Sequence, residues 1–330
     1  MTRTPSWRGL IVSAVLASTL SAANAAENIR FLNDWLPAGD KSAVYVGLQK
    51  GLFTAEGLDV TIQNARGSSD VVTKLATGSA DIGTGGLAAL LQARATGEVP
   101  VKAVMTLYTL QPDAIFTTEG SGINSLKDLS GKKIATATFS SSNVVWPLVL
   151  QANGVDPASI SLLKVDPGAL APMLASGQVA GTINWVTVAP GFEGPLAETN
   201  KKLKVIMWAK YGFDGYGLSV FISEKMLKER PEVAKKFLSA YKKAIEMAID
   251  DPKMAGLAIH ASVPEIDPAV ATREFEASVP LMVNDIAKAD KYGFQKSILA
   301  KTWEWTAKSQ NIPLDKLDPE TAVDRSFVPK

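Results

Sequence analysis

The sequence predicts an α/β fold built as two similarly organised lobes around a shared cleft. Three observations carry this expectation. Short apolar runs alternate with stretches of helical spacing along most of the chain, the pattern of strand-helix units around a largely parallel sheet. The helix end, glycine and strand start in Leu75-Ala76-Thr77-Gly78-Ser79-Ala80 are echoed in Leu174-Ala175-Ser176-Gly177-Gln178-Val179. Finally, 330 residues with 46% hydrophobic and 20% charged content suffice for two ordinary domains with packed cores.

Taken in order, the chain begins with Arg3 and Arg8, an uncharged stretch from Gly9 through Leu20, and the small-x-small pattern Ala23-Asn24-Ala25. These are the parts of a cleaved secretory signal over residues 1–25, and the apolar run is about half the roughly 20 residues a membrane span needs. Ile29 to Leu32 reads as the first strand. It ends in Asn33-Asp34-Trp35-Leu36-Pro37, after which a helix starts at Asp40 or Ser42. Trp35 therefore stands where a strand hands over to a helix, the end at which open α/β sheets bind ligands. Leu58, Val60 and Ile62 alternate as a strand, Gly67-Ser68-Ser69-Asp70 opens the next helix, and Ala80 to Gly83 is a short buried strand closed by Thr84-Gly85-Gly86. The alternation from Val99 to Tyr108 and the run starting at Ala114 give two more strands.

A shift to small polar residues at Gly120 to Gly122 reads as the first passage between lobes, ahead of the capping box that opens at Ser125. Lys133 to Ala137 is a strand, Ser140-Ser141-Ser142-Asn143 a polar handover, and Val144 to Gln151 a helix. Strands follow at Leu162 to Val165, Val179 to Trp185 and Val205 to Trp208. The glycine-aromatic link Tyr211 to Gly217 reads as the return passage into the strand Leu218 to Ile222. From Pro231 to Asp250, Ala234, Phe237, Leu238, Tyr241, Ile245 and Ala248 trace one helix face. The expected division is residues 26–112 with 217–330 as one lobe and 113–216 as the other.

Composition narrows the chemistry. Without residues 1–25 the chain is close to neutral, which argues against nucleic acid as a partner. There is no cysteine, so disulfides, thiol catalysis and lipid attachment after the signal are excluded. His260 is the one histidine and lies in a helical stretch, and neither a metal site nor a cofactor is expected. Asp34, Asp40 and Asp70 are as easily helix caps as a catalytic pair. The partial glycine pattern Gly83, Gly85, Gly86 lacks the rest of a dinucleotide fingerprint. Two sets of residues remain for a pocket. Hydroxyls and glycines at helix starts (Ser68, Ser69, Thr84, Gly85, Ser140, Ser141, Ser142) would offer free amide hydrogens to polar ligand atoms. Aromatics at strand ends or in the passage (Trp35, Tyr108, Trp185, Tyr211, Phe213, Tyr216) would supply flat surfaces, while Trp208, Trp303 and Trp305 read as core.

Asp34-Trp35-Leu36-Pro37, Tyr45, Lys50 to Val60, Gly78 to Gly83, Asp128 to Ala135 and Pro231-Glu232 resemble, in order, the SsuA/ThiY-like periplasmic binding proteins, relatives of the thiamine-pyrimidine synthases. The resemblance implies a type II periplasmic binding fold and delivery of a small ligand to an ABC importer permease in the inner membrane. The wider family includes cytosolic synthases that use a lysine-bound pyridoxal phosphate, a reactive histidine and a cysteine-rich segment. The pyrimidine-precursor binders carry an asparagine- and histidine-containing run after the proline, where this chain has Ala38-Gly39-Asp40-Lys41. The resulting expectation is a periplasmic, monomeric, non-enzymatic solute-binding protein that takes a small aromatic or heterocyclic ligand by hinge closure. A sulfonate or similar oxyanion is the alternative ligand, and an exported carboxylate-dependent enzyme the opposing class. The expected ligand set is Trp35, Leu36, Asp40, Ser68, Ser69, Thr84, Gly85, Tyr108, Ser140, Ser141, Ser142, Asn184, Trp185 and Tyr216.

Overall fold

The computed structural model describes residues 1–2 and 26–329, so apart from its first two residues the predicted signal segment lies outside the described residues. The strands are β1 (Glu27–Asn33), β2 (Leu58–Asn64), β3 (Ile82–Gly86), β4 (Val101–Thr106), β5 (Asp113–Thr118), β6 (Lys133–Ala137), β7 (Ser161–Val165), β8 (Gly181–Trp185), β9 (Leu203–Met207) and β10 (Leu218–Ser223). They form two five-stranded sheets with the orders β2-β1-β3-β10-β4 and β7-β6-β8-β5-β9. The second order repeats the first with β6, β7, β8, β5 and β9 in the places of β1, β2, β3, β10 and β4. The helix-glycine-strand echo thus falls at equivalent places, just ahead of β3 and of β8.

Both sheets are mixed, where the alternation of strands and helices predicts largely parallel ones. β1 runs parallel to β2 and β3, and β6 to β7 and β8, but β10 is antiparallel to β3 and β4, and β5 to β8 and β9. The exceptions are the two strands by which the chain enters a sheet from the other one. Such a strand starts at the cleft and runs away from it, against strands that end there. The passage out of the first sheet lies between β4 and β5, and the polar segment at Gly120 to Gly122 comes after β5, inside the second sheet's run.

The helices are α1 (Ser42–Gln49), α2 (Leu52–Ala55), α3 (Ser68–Ala76), α4 (Leu87–Thr96), α5 (Ser142–Ala152), α6 (Leu170–Ser176), α7 (Ala189–Ala197), α8 (Glu224–Glu229), α9 (Pro231–Asp250), α10 (Pro252–Ser262), α11 (Pro268–Met282), α12 (Asp285–Ala289) and α13 (Lys296–Ser309). α9 has the limits its spacing predicts, with proline in its first turn, where no amide hydrogen is missed. Its buried face brings Phe237 against Phe31 of β1 and Phe53 of α2, at ring separations of 5.4 and 5.1 Å. A fully buried phenylalanine of this kind contributes about 2–3 kcal/mol. The opposite face of the first sheet is covered by α3, α4 and α13, whose Leu299 and Trp303 join Val71, Leu75, Leu90 and Leu91. The tail beyond Pro313 has little pattern, yet Val323 bridges to Ala103 of β4 and covers that sheet edge. Among the described residues no helix is long and apolar enough to cross a membrane.

Candidate functional site

The carboxyl ends of β1 and β8 face each other across the cleft between the sheets. After β1 the chain makes the turn Asp34 to Pro37 and the 3-10 turn Gly39–Lys41 before α1, which brings Asp34, Trp35, Asp40 and Lys41 to the cleft. Ser68 arrives at the start of α3. From the second sheet come Ser140 and Ser141 ahead of α5, Asn184 and Trp185 at the end of β8, and Val188 just before α7. Together they line a cavity whose empty space, counting the part open to solvent, is about 350 Å³.

Its electrostatics centre on Lys41. The side chain is 3% exposed, with Nζ 2.8 Å from Asp34 Oδ1 and 3.3 Å from Asp40 Oδ2. Burial opposes its charge, but the two carboxylates outweigh burial and hold the ammonium pKa above its ordinary value. Nζ also lies 5.0 Å from the centre of the Trp185 ring, across the cleft. Asp34 Oδ2 accepts from the Ser68 hydroxyl, and Asp40 Oδ2 from Thr187 Oγ1 at 2.7 Å, a bond that joins the two lobes. Asp40 Oδ1 and Asn184 Oδ1 are buried without a hydrogen-bond partner among the described residues. Asn184 is oriented by its amide, which donates to Thr182 Oγ1 at 2.7 Å. Among the described residues the lining holds two carboxylates, one ammonium and no arginine, and is net negative.

Behind Trp185 stands Asp113, at the start of β5 and in register with it. Burial raises its carboxyl to about 6, against the pull of hydrogen bonds from Ser142 and the Trp185 indole. The Ser142 hydroxyl donates to Asp113 Oδ1 at 2.5 Å. Tyr108 meets the Trp185 ring edge-on at 6.0 Å. Trp185 is thereby held from both lobes.

Of the residues expected from sequence, Trp35, Asp40, Ser68, Ser140, Ser141, Asn184 and Trp185 line the cavity. Tyr108 and Ser142 are buried one layer back, as supports. Leu36 is 36% exposed and outside the lining, and Ser69 lines a groove between α3 and α4 instead. Thr84 and Gly85 are paired within β3 and are not at a helix start. Tyr216 is buried edge-on against Phe294, its hydroxyl accepting from the Gln295 amide, and Phe213 is buried with Trp208 and Trp305. Both lie in the return passage, whose glycines turn the rings inward instead of toward the cleft.

The picture of helix starts offering free amides is corrected at four of these positions. The Ser69 amide donates to Phe139 O, the Gly86 amide to Ser68 Oγ, the Leu87 amide to Gly217 O and the Ser142 amide to Ser140 Oγ. Each of these donors is used by the protein itself. The sequence reading missed Asp34, Lys41 and Val188 in the lining, and Asp113 and Thr187 behind it. A lysine flanked by acids on a strand-to-helix turn was a signal for Lys41. Thr187 and Asp113 carried none.

Comparisons with known proteins agree with this architecture. The profile of the family described as NMT1/THI5 like matches residues 39–255. A 4-amino-5-hydroxymethyl-2-methylpyrimidine phosphate synthase of Saccharomyces cerevisiae is 24% identical over 314 residues, covering 90% of this chain and 91% of its own. A riboflavin-binding protein of Chloroflexus aurantiacus is 24% identical over 312 residues, covering 92% and 86%. Among solved structures, the alkanesulfonate-binding protein SsuA of Xanthomonas axonopodis pv. citri, bound to MOPS, superposes with a TM-score of 0.71 at 19% identity, over 91% of this chain and all of that one. The fold is therefore that of the SsuA-like periplasmic binding proteins. One expectation is overturned: the reading of the chain as a non-enzyme does not stand beside several relatives named as synthases, which are enzymes.

The pyridoxal phosphate of the synthases does not fit the residues present. Among the described lining residues the one lysine, Lys41, is an ammonium held between two carboxylates and not a free amine. His260 lies on α10 with Nδ1 2.8 Å from the Ile266 carbonyl, away from the cavity.

Proposed function

We propose, from the premise that the chain belongs to the NMT1/THI5-like family, that it is a periplasmic solute-binding protein of an ABC importer, taking a small nitrogen heterocycle into the cavity between its lobes. The carrying observation is the cavity itself, lined from both sheets by two indoles and by buried acceptors, Asp40 Oδ1 and Asn184 Oδ1, that lack donors among the described residues. A flat ring bearing N–H groups meets both needs, stacking on Trp35 or Trp185 and donating to the acceptors. The relatives named for a pyrimidine phosphate and for riboflavin support the same ligand class. An oxyanion is disfavoured by the net negative lining.

In this reading residues 26–112 and 217–330 form one lobe and 113–216 the other, and they close as a monomer on the ligand by a hinge motion. Residues 1–25 direct export and are removed, and the closed form docks on the permease. Calorimetry with 4-amino-5-hydroxymethyl-2-methylpyrimidine, riboflavin and an alkanesulfonate on ligand-stripped protein tests it. One of the heterocycles should bind, and Trp35→Ala should weaken that binding at least tenfold. Preference for the sulfonate, or unchanged affinity in the variant, would remove this ligand assignment. Mass spectrometry of the same samples reads any chemical conversion, and uptake in cells lacking the protein tests the importer role.

A further inference from the structure

Glu274 of α11 is a buried carboxyl outside the cavity lining. It is 5% exposed and sits where the lobes meet, beside the cavity. Its Oε2 accepts the Gly39 amide at 2.6 Å, at the start of the turn that leads into α1. Its other contact crosses to the second lobe, where it accepts the backbone amide of Gly191 in the first turn of α7. α7 has no side-chain cap of its own, and the Pro190 next to Gly191 has no amide hydrogen. One carboxyl thus caps the start of α7 in one lobe, where free N–H groups and the helix dipole favour an oxygen acceptor, and binds the turn ahead of α1 in the other. A Cβ on Gly191 would lie 2.7 Å from Glu274 Oε1, so the approach depends on glycine there.

We propose that Glu274 is an interlobe latch that holds α7 closed against the first lobe and loosens as the pH rises. Opening the cleft hydrates the carboxyl, which lowers its proton affinity by more than the lost α7 amide bond raises it, because burial is the larger of the two effects in the closed form. A group that is protonated more readily when closed than when open takes up a proton on closure, so acid favours the closed form and alkali the open one. Burial moves the Glu274 carboxyl up to about 7, against the pull of its two amide partners. The charged groups on the packed elements are consistent with this. Asp40 pushes Glu274 up and Arg273 pulls it down. Lys41 is neutralised between Asp34 and Asp40, Glu193 of α7 is paired with Arg273, and α10 contributes Lys253 and His260.

The latch rests on the reading that two lobes open and close, and the experiment separates the two. The sequence has no cysteine, so Lys127→Cys and Lys236→Cys, both exposed and on different lobes, give unique sites for a pair of spin labels. Interlobe distances are measured from pH 5 to pH 8, with and without 4-amino-5-hydroxymethyl-2-methylpyrimidine. The closed fraction without ligand should fall at least fivefold across this range in the parent protein. Glu274→Gln, which keeps an acceptor but cannot ionise, should abolish the pH response. Gly191→Ala should open the lobes at every pH, and circular dichroism checks that each variant is folded. A distance that responds to the pyrimidine but not to pH, or a pH response that survives in Glu274→Gln, overturns the latch alone. A distance that responds to neither overturns the latch together with the closure on which the proposed function rests.

Discussion

At Lys41 the chain places a full positive charge where almost no water reaches. Its two carboxylates make that tolerable, and the converse also holds: without the ammonium, Asp34 and Asp40 face each other unneutralised. Lys41→Met should therefore cost about 3–5 kcal/mol of stability, read from urea unfolding, far beyond the loss of a surface charge. A change below about 1 kcal/mol would mean that water reaches the site. Asp113 and Glu274 set a pH dependence of the opposite sense to most carboxylates. Their folded values, about 6 and about 7, lie above their ordinary ones, so the folded protein binds more protons than the unfolded chain between them. Their contribution is complete below about pH 4 and is lost as the pH rises through 6 and 7, on the order of 3 kcal/mol each. The thermal midpoint should accordingly fall from pH 4.5 to pH 7.5, and more steeply than in an Asp113→Asn, Glu274→Gln double variant. Equal slopes would refute the assignment. None of this was legible in the sequence, where Asp113 and Glu274 are two acidic residues among 33.

The helix-glycine-strand unit is the element on which both lobes turn. Gly78 and Gly177 end α3 and α6 with φ of +73° and +78°, a left-handed conformation that a Cβ disfavours. Nothing lies within 4 Å of a Cβ at Gly78, so Gly78→Ala isolates the backbone cost, about 1–2 kcal/mol in a urea melt, with asparagine costing less. An unchanged midpoint would show that the turn relaxes freely. Elements of this local kind were legible because spacing, caps and glycine stops act within a few residues. α9 shows it best, its limits following from a proline start and an apolar stripe. β5 and β10 were legible as strands but not in direction, because direction depends on which end of the sheet the chain arrives from.

Across the whole molecule the lobes meet in bonds of very different value. The Arg273–Glu193 pair at the lip has its charges 2.6 Å apart, but both side chains are about half exposed, 47% and 51%, and such a pair contributes at most about 1 kcal/mol. Arg273→Ala should therefore weaken ligand binding less than fivefold. Thr187→Ala, which strips a buried interlobe donor from Asp40, should weaken it tenfold or more. Calorimetry on the two variants reads the contrast, and equal effects would place the closing contacts at the rim and not at the cavity.

The sequence by itself determined the run of strands and helices, the doubled plan, the family resemblance and most of the cavity lining. It could do so because the turn after β1 and the end of β8 are local features whose residues must face the cleft wherever the sheets go. Only the tertiary structure decided that Lys41 is buried between two acids, that amides at the helix starts are taken by the protein itself, and that Glu274 reaches across the gap. Lys41 has its acids nearby in sequence, but its burial needs the Trp185 ring of the other lobe. Glu274 meets Gly39 and Gly191, Ser69 meets Phe139 and Leu87 meets Gly217 from distant parts of the chain, and no periodicity encodes the pairing of two surfaces that meet only when the chain has folded.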